Sequence, residues 1–353
     1  MKPGIFTHGI PFEFISRKRK ALMGLSLLCL LLFHLCEDRS GAGYSMPLFM
    51  KYFKTYIGSG EVDMFLILSG FGLCYSYGKI GDRNRFRLHH VKKILVPYLL
   101  FCVPVLFVLR VLLLGTGFAR FLKDVFFLSF FTDGFRLFWY IPCILICYMI
   151  FPCFCDALDL DKDPVARRLR LVTTAGAVFL LGVILSISFG GFFGKTEMLL
   201  VRIPSFVGGI CVGIRSRSRE MLTGEGLAWY LALTAAAHYV ASWGAYPLAG
   251  RPATALCTVF WLLLPVFLWE KVPEALKGTL PCRILSECLA WCGERTLELY
   301  LVHVGIREIL RNTGLNPGRY SVYLLILALS FPVSALLHRV SGYILKKLPD
   351  GRA

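Results

Sequence analysis

Stretches of apolar residues, separated by short polar segments, set the organisation of this chain of 353 residues. Most of them approach the roughly 20 residues that an α-helix needs to cross about 30 Å of hydrocarbon. The pattern therefore predicts an all-α polytopic membrane protein with about ten transmembrane helices. The expected helices are 21–36, 61–77, 90–114, 135–151, 171–189, 199–214, 227–246, 253–269, 297–310 and 321–345.

The composition agrees with this fold class. Hydrophobic residues make up 56% of the chain and charged residues only 17%, which is too apolar for a water-soluble globule of this size. No connection between the apolar runs is long enough for a soluble domain. Residues 1–353 are therefore predicted to form a single membrane-embedded domain, with helices from about 21 to 345. The 13 cysteines show no disulfide framework or metal-ligand spacing, so we expect no metal site and no permanently bound cofactor.

The positive charge of the chain, a net +17, is distributed unevenly along the sequence. If the N-terminus is cytoplasmic, 25 of the 39 Lys and Arg residues fall in cytoplasmic segments and nine in outer segments. Because cytoplasmic loops of membrane proteins are enriched in Lys and Arg, this bias predicts cytoplasmic N- and C-termini. The charge then reflects topology, with the lipid bilayer as partner and no nucleic acid. We expect a multi-pass protein of a bacterial inner, that is cytoplasmic, membrane.

The first candidate for chemistry is Asp63, in the apolar run Glu61–Tyr77. A carboxylate at the mouth of a bilayer-length segment is costly and is by default a functional candidate. The alternative is that Asp63 caps the N-terminus of its helix, and spacing alone favours neither. Ser69 in the same run lacks the G-x-S-x-G pattern of a nucleophile, so Ser69 and Gly70 are expected to allow close helix packing.

His34 lies near the outer end of the first predicted helix. Histidine suits proton transfer near neutral pH, and Glu37 and Asp38 follow it at spacings of three and four residues, on the same helical face. A carboxylate there would orient the imidazole, as in a pair of base and orienting group. The alternative is an interfacial histidine in contact with water. The predicted topology brings Asp63 to the same membrane face.

Two further groups of polar residues attract attention. The basic segment 79–93 stands at a cytoplasmic helix mouth, where Arg, Lys and His side chains serve either as topological charge or as a phosphate site. In the ninth predicted helix, residues at spacings of three, four and four share one face. These residues are Tyr300, His303, Arg307 and Arg311. Such a stripe is expected to face the bundle interior or an aqueous cavity.

Residues 62–71, VDMFLILSGF, closely resemble the VD-FF-LSGF signature of the acyltransferase 3 family, which consists of integral membrane O-acyltransferases. The resemblance extends over nearly the whole chain. It includes His34 in the first helix, His90-x-x-Lys93 before Pro97-Tyr98, Phe138–Pro142 with Arg136 beside it, Arg202–Gly209 and Glu298–His303. The family commonly has an arginine eleven residues before the histidine of the first helix, whereas this chain has Met23 there.

The resemblance implies a membrane-bound O-acyltransferase that moves an acyl group from cytoplasmic acyl-CoA to a hydroxyl of a cell-surface glycan or its precursor. The expected acyl group is acetyl, with acetyl-CoA as co-substrate. His34 would act as general base, with Asp63 and Glu37 in the catalytic group. The expected acyl-CoA-binding residues are Arg87, His90, Lys92 and Lys93. The expected substrate and oxyanion residues are Arg136, Trp139, Arg202, Tyr300 and His303.

The expected partners are acyl-CoA, a carbohydrate acceptor and the bilayer, and any separate periplasmic or extracellular partner is unidentified. Two other classes of protein are compatible with ten apolar runs. A transporter of polysaccharide or lipid-linked sugar would explain a polar interior without acyl transfer, but gives no reason for His34 beside Asp63. A structural membrane protein would tolerate substitution of all these residues. The sequence leaves open the acceptor glycan and the choice between acetyl and succinyl donors.

Overall fold

The computed structural model describes residues 10–58, 60–80, 82–158, 163–242 and 247–348. Within these ranges the chain forms 16 helices and one pair of two-residue strands. The helices are α1 (Glu13–Gly41), α2 (Leu48–Tyr56), α3 (Glu61–Ile80), α4 (Arg83–Leu113), α5 (Phe118–Val125), α6 (Leu128–Asp133), α7 (Tyr140–Leu158), α8 (Pro164–Ser188), α9 (Gly190–Leu200), α10 (Ile203–Arg217), α11 (Gly224–Ser242), α12 (Pro247–Lys271), α13 (Glu274–Lys277), α14 (Leu280–Glu294), α15 (Thr296–Asn312) and α16 (Tyr320–Lys347). Strands β1 (Ile10–Pro11) and β2 (Met221–Leu222) pair in antiparallel fashion.

Each of the ten predicted apolar segments overlaps one or more of these helices, and residues 243–246 of the predicted segment 227–246 lie outside the described residues. Among the described residues, five helical segments are long and apolar enough to cross a membrane. They are Glu13–Gly41, Arg83–Leu113, Tyr140–Leu158, Gly190–Arg217 and Tyr320–Lys347. A sixth span results if α2 and α3, which meet at 43°, count as one broken span. The prediction of an all-α, multi-pass membrane protein is confirmed, with fewer segments passing this test than the ten expected.

Helix α4 shows how the chain accommodates proline inside a long apolar helix. Pro97 is followed by a π-helical turn at Tyr98–Cys102, and a second π-helical stretch covers Val108–Leu113. Because proline lacks an N–H and its ring crowds the preceding turn, wider turns nearby allow the helix to continue. At its start, the Asp82 carboxylate accepts hydrogen bonds from two backbone N–H groups and caps the helix.

Helices α3 and α10 cross at glycines. A Cβ atom added to Gly209 would lie 2.1 Å from the carbonyl oxygen of Ile67, and one added to Gly70 would lie 2.4 Å from that of Phe206. Both distances are far below van der Waals contact, so these positions are restricted to glycine. Small residues allow helix backbones to approach closely inside a bilayer. The close packing predicted for Gly70 is confirmed.

Helix α14 lies between the predicted helices 253–269 and 297–310, where the apolar pattern predicts no membrane-spanning helix. It runs antiparallel along the first half of α1, and a Cβ at Gly24 would lie 2.0 Å from the carbonyl oxygen of Leu289. A Cβ at Gly293 would likewise lie 2.0 Å from that of Lys20, and Lys20 Nζ donates to Glu294 Oε1 at 2.6 Å. The segment that connects the predicted helices 253–269 and 297–310 is therefore itself largely helical and packs against α1.

The glycine crossing yields a test of the α3–α10 packing. Replacing Gly209 with alanine should lower the thermal midpoint of the purified protein by several degrees, because overpacking a tight contact costs about 1–3 kcal/mol. The matched control is Gly208→Ala, since no heavy atom lies within 4 Å of a Cβ added there. Gly208→Ala should match or slightly exceed the parent protein. Equal midpoints for the two variants would contradict the crossing.

Candidate active site

A cavity of about 990 Å³ opens at the end of the bundle where α1 ends and α3 begins. Its volume is at the upper end of the range typical of small-molecule sites, roughly 300–1,000 Å³. Six residues predicted for the site lie on its wall, from four separate parts of the chain. They are His34, Glu37, Arg136, Trp139, Arg202 and Tyr300. Asp63 and His303 are not among the lining residues and are buried behind them.

The His34 ring stacks on the His303 ring, with centroids 5.3 Å apart and planes 4° from parallel. His303 is fully buried, whereas His34 is partly exposed to the cavity. The Nδ1 atoms of both rings are buried and have no hydrogen-bond partner in the described part of the chain. Since the Nδ1 of His34 is buried, its Nε2 is the ring nitrogen left for a ligand in the cavity.

Tyr323, on α16, fixes the protonation of His303. The Tyr323 hydroxyl donates its one hydrogen to the carbonyl oxygen of Leu31. It lies 3.3 Å from His303 Nε2, and can therefore only accept from that nitrogen. His303 then carries its proton on Nε2, which leaves a lone pair on Nδ1. The sequence analysis did not single out Tyr323, because a tyrosine in an apolar helix has no distinguishing spacing.

The carboxylates of Glu37 and Asp38 contact an arginine instead of the His34 imidazole. Arg307 donates from Nε and Nη2 to the two oxygens of Asp38, each at 2.6 Å, and from Nη2 to Glu37 at 2.8 Å. The expectation that one of these carboxylates orients His34 was wrong. A planar guanidinium matches a carboxylate with two parallel bonds, which makes this pairing stronger than a single bond to imidazole.

The polar stripe of α15 faces α1 and the cavity, as its spacing predicts. Tyr300, Arg307 and Arg311 line the cavity, and His303 is buried against His34. Arg311 adds a further bond to Asp38 at 2.6 Å and pairs with Glu308 at 2.8 Å. The end of α1 and the second half of α15 are thus joined by a network of charge-assisted hydrogen bonds.

Asp63 contacts Ser205 and Arg202. Its Oδ1 accepts from the Ser205 hydroxyl at 2.7 Å, and its Oδ2 lies 3.5 Å from Arg202 Nε. The Arg202 guanidinium lies 4.8 Å from the centre of the Trp139 ring. The carboxylate and the indole together hold one cation at the cavity wall. The cost of burying Asp63 is offset by this pairing.

The loop before α7 brings Arg136 and Trp139 to the cavity. Phe138, between them, has φ 55°, a left-handed backbone conformation that is unusual for a bulky residue. Its side chain is buried at 2% exposure, so packing holds the backbone in this state. Arg136 is half exposed and lies 3.4 Å from Glu197. Strained residues of this kind often occur at functional sites.

A second, smaller cavity of about 90 Å³ extends from the first toward the opposite end of the bundle. The two cavities share Leu30, Val62 and Tyr300 as lining residues. The smaller one is lined mainly by apolar and aromatic side chains and includes Ser69 and Tyr148. On α3, Ser69 lies about 12 Å along the helix from Glu61, at 1.5 Å per residue.

The basic segment 79–93 begins at the end of α3 that is opposite the large cavity, beyond the smaller cavity. His90 is buried, its Nε2 lies 2.8 Å from the Ser76 hydroxyl, and its ring packs edge-on against Tyr148 at 5.8 Å. Arg87 donates to the carbonyl oxygen of Met149 at 3.1 Å. Lys92 is partly exposed and Lys93 is exposed. His90 therefore faces the interior, whereas the two lysines lie at the surface.

Arg19 is placed near the position where the family arginine is missing. It precedes Met23 by one turn of α1, and a Cβ at Gly72 would lie 2.4 Å from its Cζ. Glycine at 72 thus makes room for the guanidinium against α3. Met23 itself lines the smaller cavity. The sequence analysis started the first helix at 21, whereas α1 begins at Glu13 and carries Arg19 as a helical residue.

Comparison with protein families gives one match, to the model described as an acyltransferase domain, over residues 21–339. The matched range covers nearly the whole chain, including every residue of the two cavities described above. No curated protein and no solved structure matches the chain.

The arginine network yields a second test. Arg307→Lys keeps the positive charge but cannot form the two parallel bonds to Asp38, each worth about 1.5–3 kcal/mol for a charged group. Its thermal midpoint should fall clearly below that of the parent protein. Arg311→Lys is the control, because its side chain is 44% exposed and such pairs contribute roughly 0–1 kcal/mol. Equal thermal midpoints for the two variants would show that the bonds from Arg307 to Asp38 do not hold α1 and α15 together.

Proposed function

Because the chain belongs to the acyltransferase family whose model it matches over residues 21–339, we propose that it transfers an acetyl group from acetyl-CoA to a hydroxyl of a carbohydrate acceptor. The match confirms the resemblance drawn from residues 62–71. Family and apolar helices together make the chain a multi-pass membrane acyltransferase. The donor, the acceptor and the base are our proposal. The observation that carries it is the position of His34, on the wall of the large cavity and stacked on His303.

His34 serves as the general base in this proposal. Its Nε2 removes the proton from the acceptor hydroxyl, while the hydroxyl oxygen attacks the carbonyl carbon of the thioester. A tetrahedral intermediate forms with negative charge on the former carbonyl oxygen. When it collapses, the C–S bond breaks, the ester is released, and the imidazolium returns its proton to the CoA thiolate. His303 supports the His34 ring by stacking, and no group other than His34 needs to change its charge.

The oxyanion of this intermediate needs a nearby cation or hydrogen-bond donor. Arg202 is well suited, because it lines the cavity and is held between Asp63 and Trp139. A donor fixed in advance need not reorganise as the charge develops, which is the main benefit of such sites. Arg136, at the more exposed rim, is better placed to contact the acceptor. Asp63 thus acts as a positioning residue for Arg202.

The donor is proposed to enter from the opposite end of the bundle, which the Lys and Arg bias assigns to the cytoplasm. Lys92 and Lys93 contact the phosphates of CoA, and the acyl arm extends past Tyr148 through the smaller cavity. The apolar lining of that cavity favours a neutral acyl group. The carboxylate of a succinyl group would lose its hydration there without gaining a cationic partner among the lining residues. Acetyl is therefore preferred over succinyl.

The role of His34 is tested by two substitutions. His34→Gln keeps volume and hydrogen bonding but cannot accept a proton near pH 7, so transfer of labelled acetyl from acetyl-CoA should fall about 100- to 10,000-fold. His34→Ala should lose at least as much. Asp63→Asn keeps the bond from Ser205 and should be milder, because Asp63 acts through Arg202.

Thermal midpoints of all three variants serve as the control for folding. Near-normal transfer by His34→Gln would refute the base assignment, and His303 would then be the next residue to replace. Substrate movement across vesicle membranes without any consumption of acetyl-CoA would instead favour the transporter.

The donor site is tested with Lys92→Ala and Lys93→Ala combined. Loss of two charge-assisted phosphate contacts should weaken acetyl-CoA binding by at least tenfold, since such bonds are worth about 1.5–3 kcal/mol each. The matched control replaces Lys346 and Lys347, which are exposed at the end of α16 and carry the same charge. Unchanged donor affinity in the first variant, measured by calorimetry, would rule out this entrance. His90 is left intact because its bond to Ser76 makes it part of the fold.

A further inference from the structure

Glu61, at the start of α3, is a buried carboxylate that the proposed reaction does not use. Its side chain lines the large cavity, and the residue is 2% exposed. Oxygen Oε2 has no hydrogen-bond partner in the described part of the chain. A buried polar atom without a hydrogen-bond partner destabilises the fold, so native structures contain few of them.

The charges around the cavity make Glu61 distinctive. Every other charged residue on the wall has an opposite charge within 4.0 Å. The pairs are Glu37 and Asp38 with Arg307, Asp38 and Glu308 with Arg311, Arg202 with Asp63, and Arg136 with Glu197. Glu61 alone, among the described lining residues, has no such pair. The wall therefore carries one buried carboxyl group that has no ionic partner within 4.0 Å and whose Oε2 has no hydrogen-bond partner in the described residues.

The N-terminus of a helix gives a partial explanation. Free N–H groups and the helix dipole favour acidic residues in the first turn, and both Glu61 and Asp63 lie there. This effect stabilises a carboxylate in the first turn, but an exposed carboxylate would be stabilised equally well. It therefore does not explain why Glu61 is buried. Asp63 shows the usual outcome of burial, because its oxygens accept from Ser205 and lie near Arg202. Glu61 is as deeply buried as Asp63, but its Oε2 has no hydrogen-bond partner in the described part of the chain.

We propose that Glu61 binds the acceptor, taking a hydrogen bond from a hydroxyl or ammonium group next to the hydroxyl that is acylated. At this subsite the acceptor then offers a neutral or amino-bearing part of the sugar in preference to an acidic one. Carboxylates bind donors strongly and repel anions, most of all in a cavity where other charges are already paired. This inference rests on the proposed function, since it assigns the large cavity to the acceptor.

The test measures binding and requires no acyl transfer. Purified full-length protein in detergent is titrated with the methyl glycosides of glucose, glucosamine and glucuronic acid. These probes share a ring and differ in carrying no charge, an ammonium or a carboxylate. The rise in thermal midpoint with concentration reports the apparent affinity. We expect the glucosaminide to bind most tightly and the glucuronide about tenfold or more weakly than the uncharged sugar.

Glu61→Gln separates charge from shape, because glutamine has the same size. This variant should lose most of the preference for the ammonium sugar and should bind the glucuronide nearly as well as the glucoside. Without ligand, its thermal midpoint should be equal to or above that of the parent protein. The control is Glu308→Gln, which removes the same charge from the same wall but from a carboxylate paired with Arg311. It should keep the order of the three probes.

Equal affinity of the parent protein for all three probes would overturn the inference. So would an unchanged order of probes in Glu61→Gln, or no stabilisation by any probe. The inference would also be overturned if Glu308→Gln lost the order of the probes as Glu61→Gln does. The preference would then depend on the total charge of the cavity and not on Glu61. Failure of the proposed function is recognised separately. In that case acetyl transfer is absent or survives His34→Gln, whatever the order of the probes.

Discussion

The pairing of Arg307 with Asp38 is the interaction on which the geometry of the site depends. Asp38 follows His34 by one turn of α1, and Arg307 follows His303 by one turn of α15. The ion pair and the stacked rings are therefore one turn apart along the same two helices. A buried ion pair is weak evidence for stability, because desolvation offsets much of the attraction. Its two parallel bonds do, however, set the register of the helices. A shift of α15 by one residue would turn both Arg307 and His303 away from α1.

Much of the fold could be predicted from the sequence, because a bilayer demands long apolar helices and leaves a strong periodic signal. The all-α class, the apolar helices long enough to cross a membrane and the glycine contact at Gly70 belong to this part. Helix α14 was missed for a related reason. It is too short and too polar to read as a span, and the glycines that fit it to α1 become informative only when both helices are in view. Propensity within one segment says little about which neighbour it packs against.

The site could be predicted as a set of residues but only partly as a set of contacts. His34, Trp139, Arg202 and the stripe on α15 were recognised from motif and spacing, and they do meet at one cavity. Spacing along α1 suggested that Glu37 or Asp38 would orient His34, since local neighbours are all that one helix offers. The stronger partner came from another helix. Glu61 was passed over for the same reason, because what sets it apart is the absence of a contact, and a sequence does not record contacts.

The large cavity has two kinds of wall. Its base consists of helix faces fixed by the arginine network and by glycine crossings, whereas part of its rim consists of the loop residues Phe135–Trp139 and Gly314–Pro317. Changes in these loops leave the register of α1, α3 and α15 untouched. A change in these loops would therefore alter the part of the cavity that a ligand meets at its rim, without rebuilding the helix faces at its base.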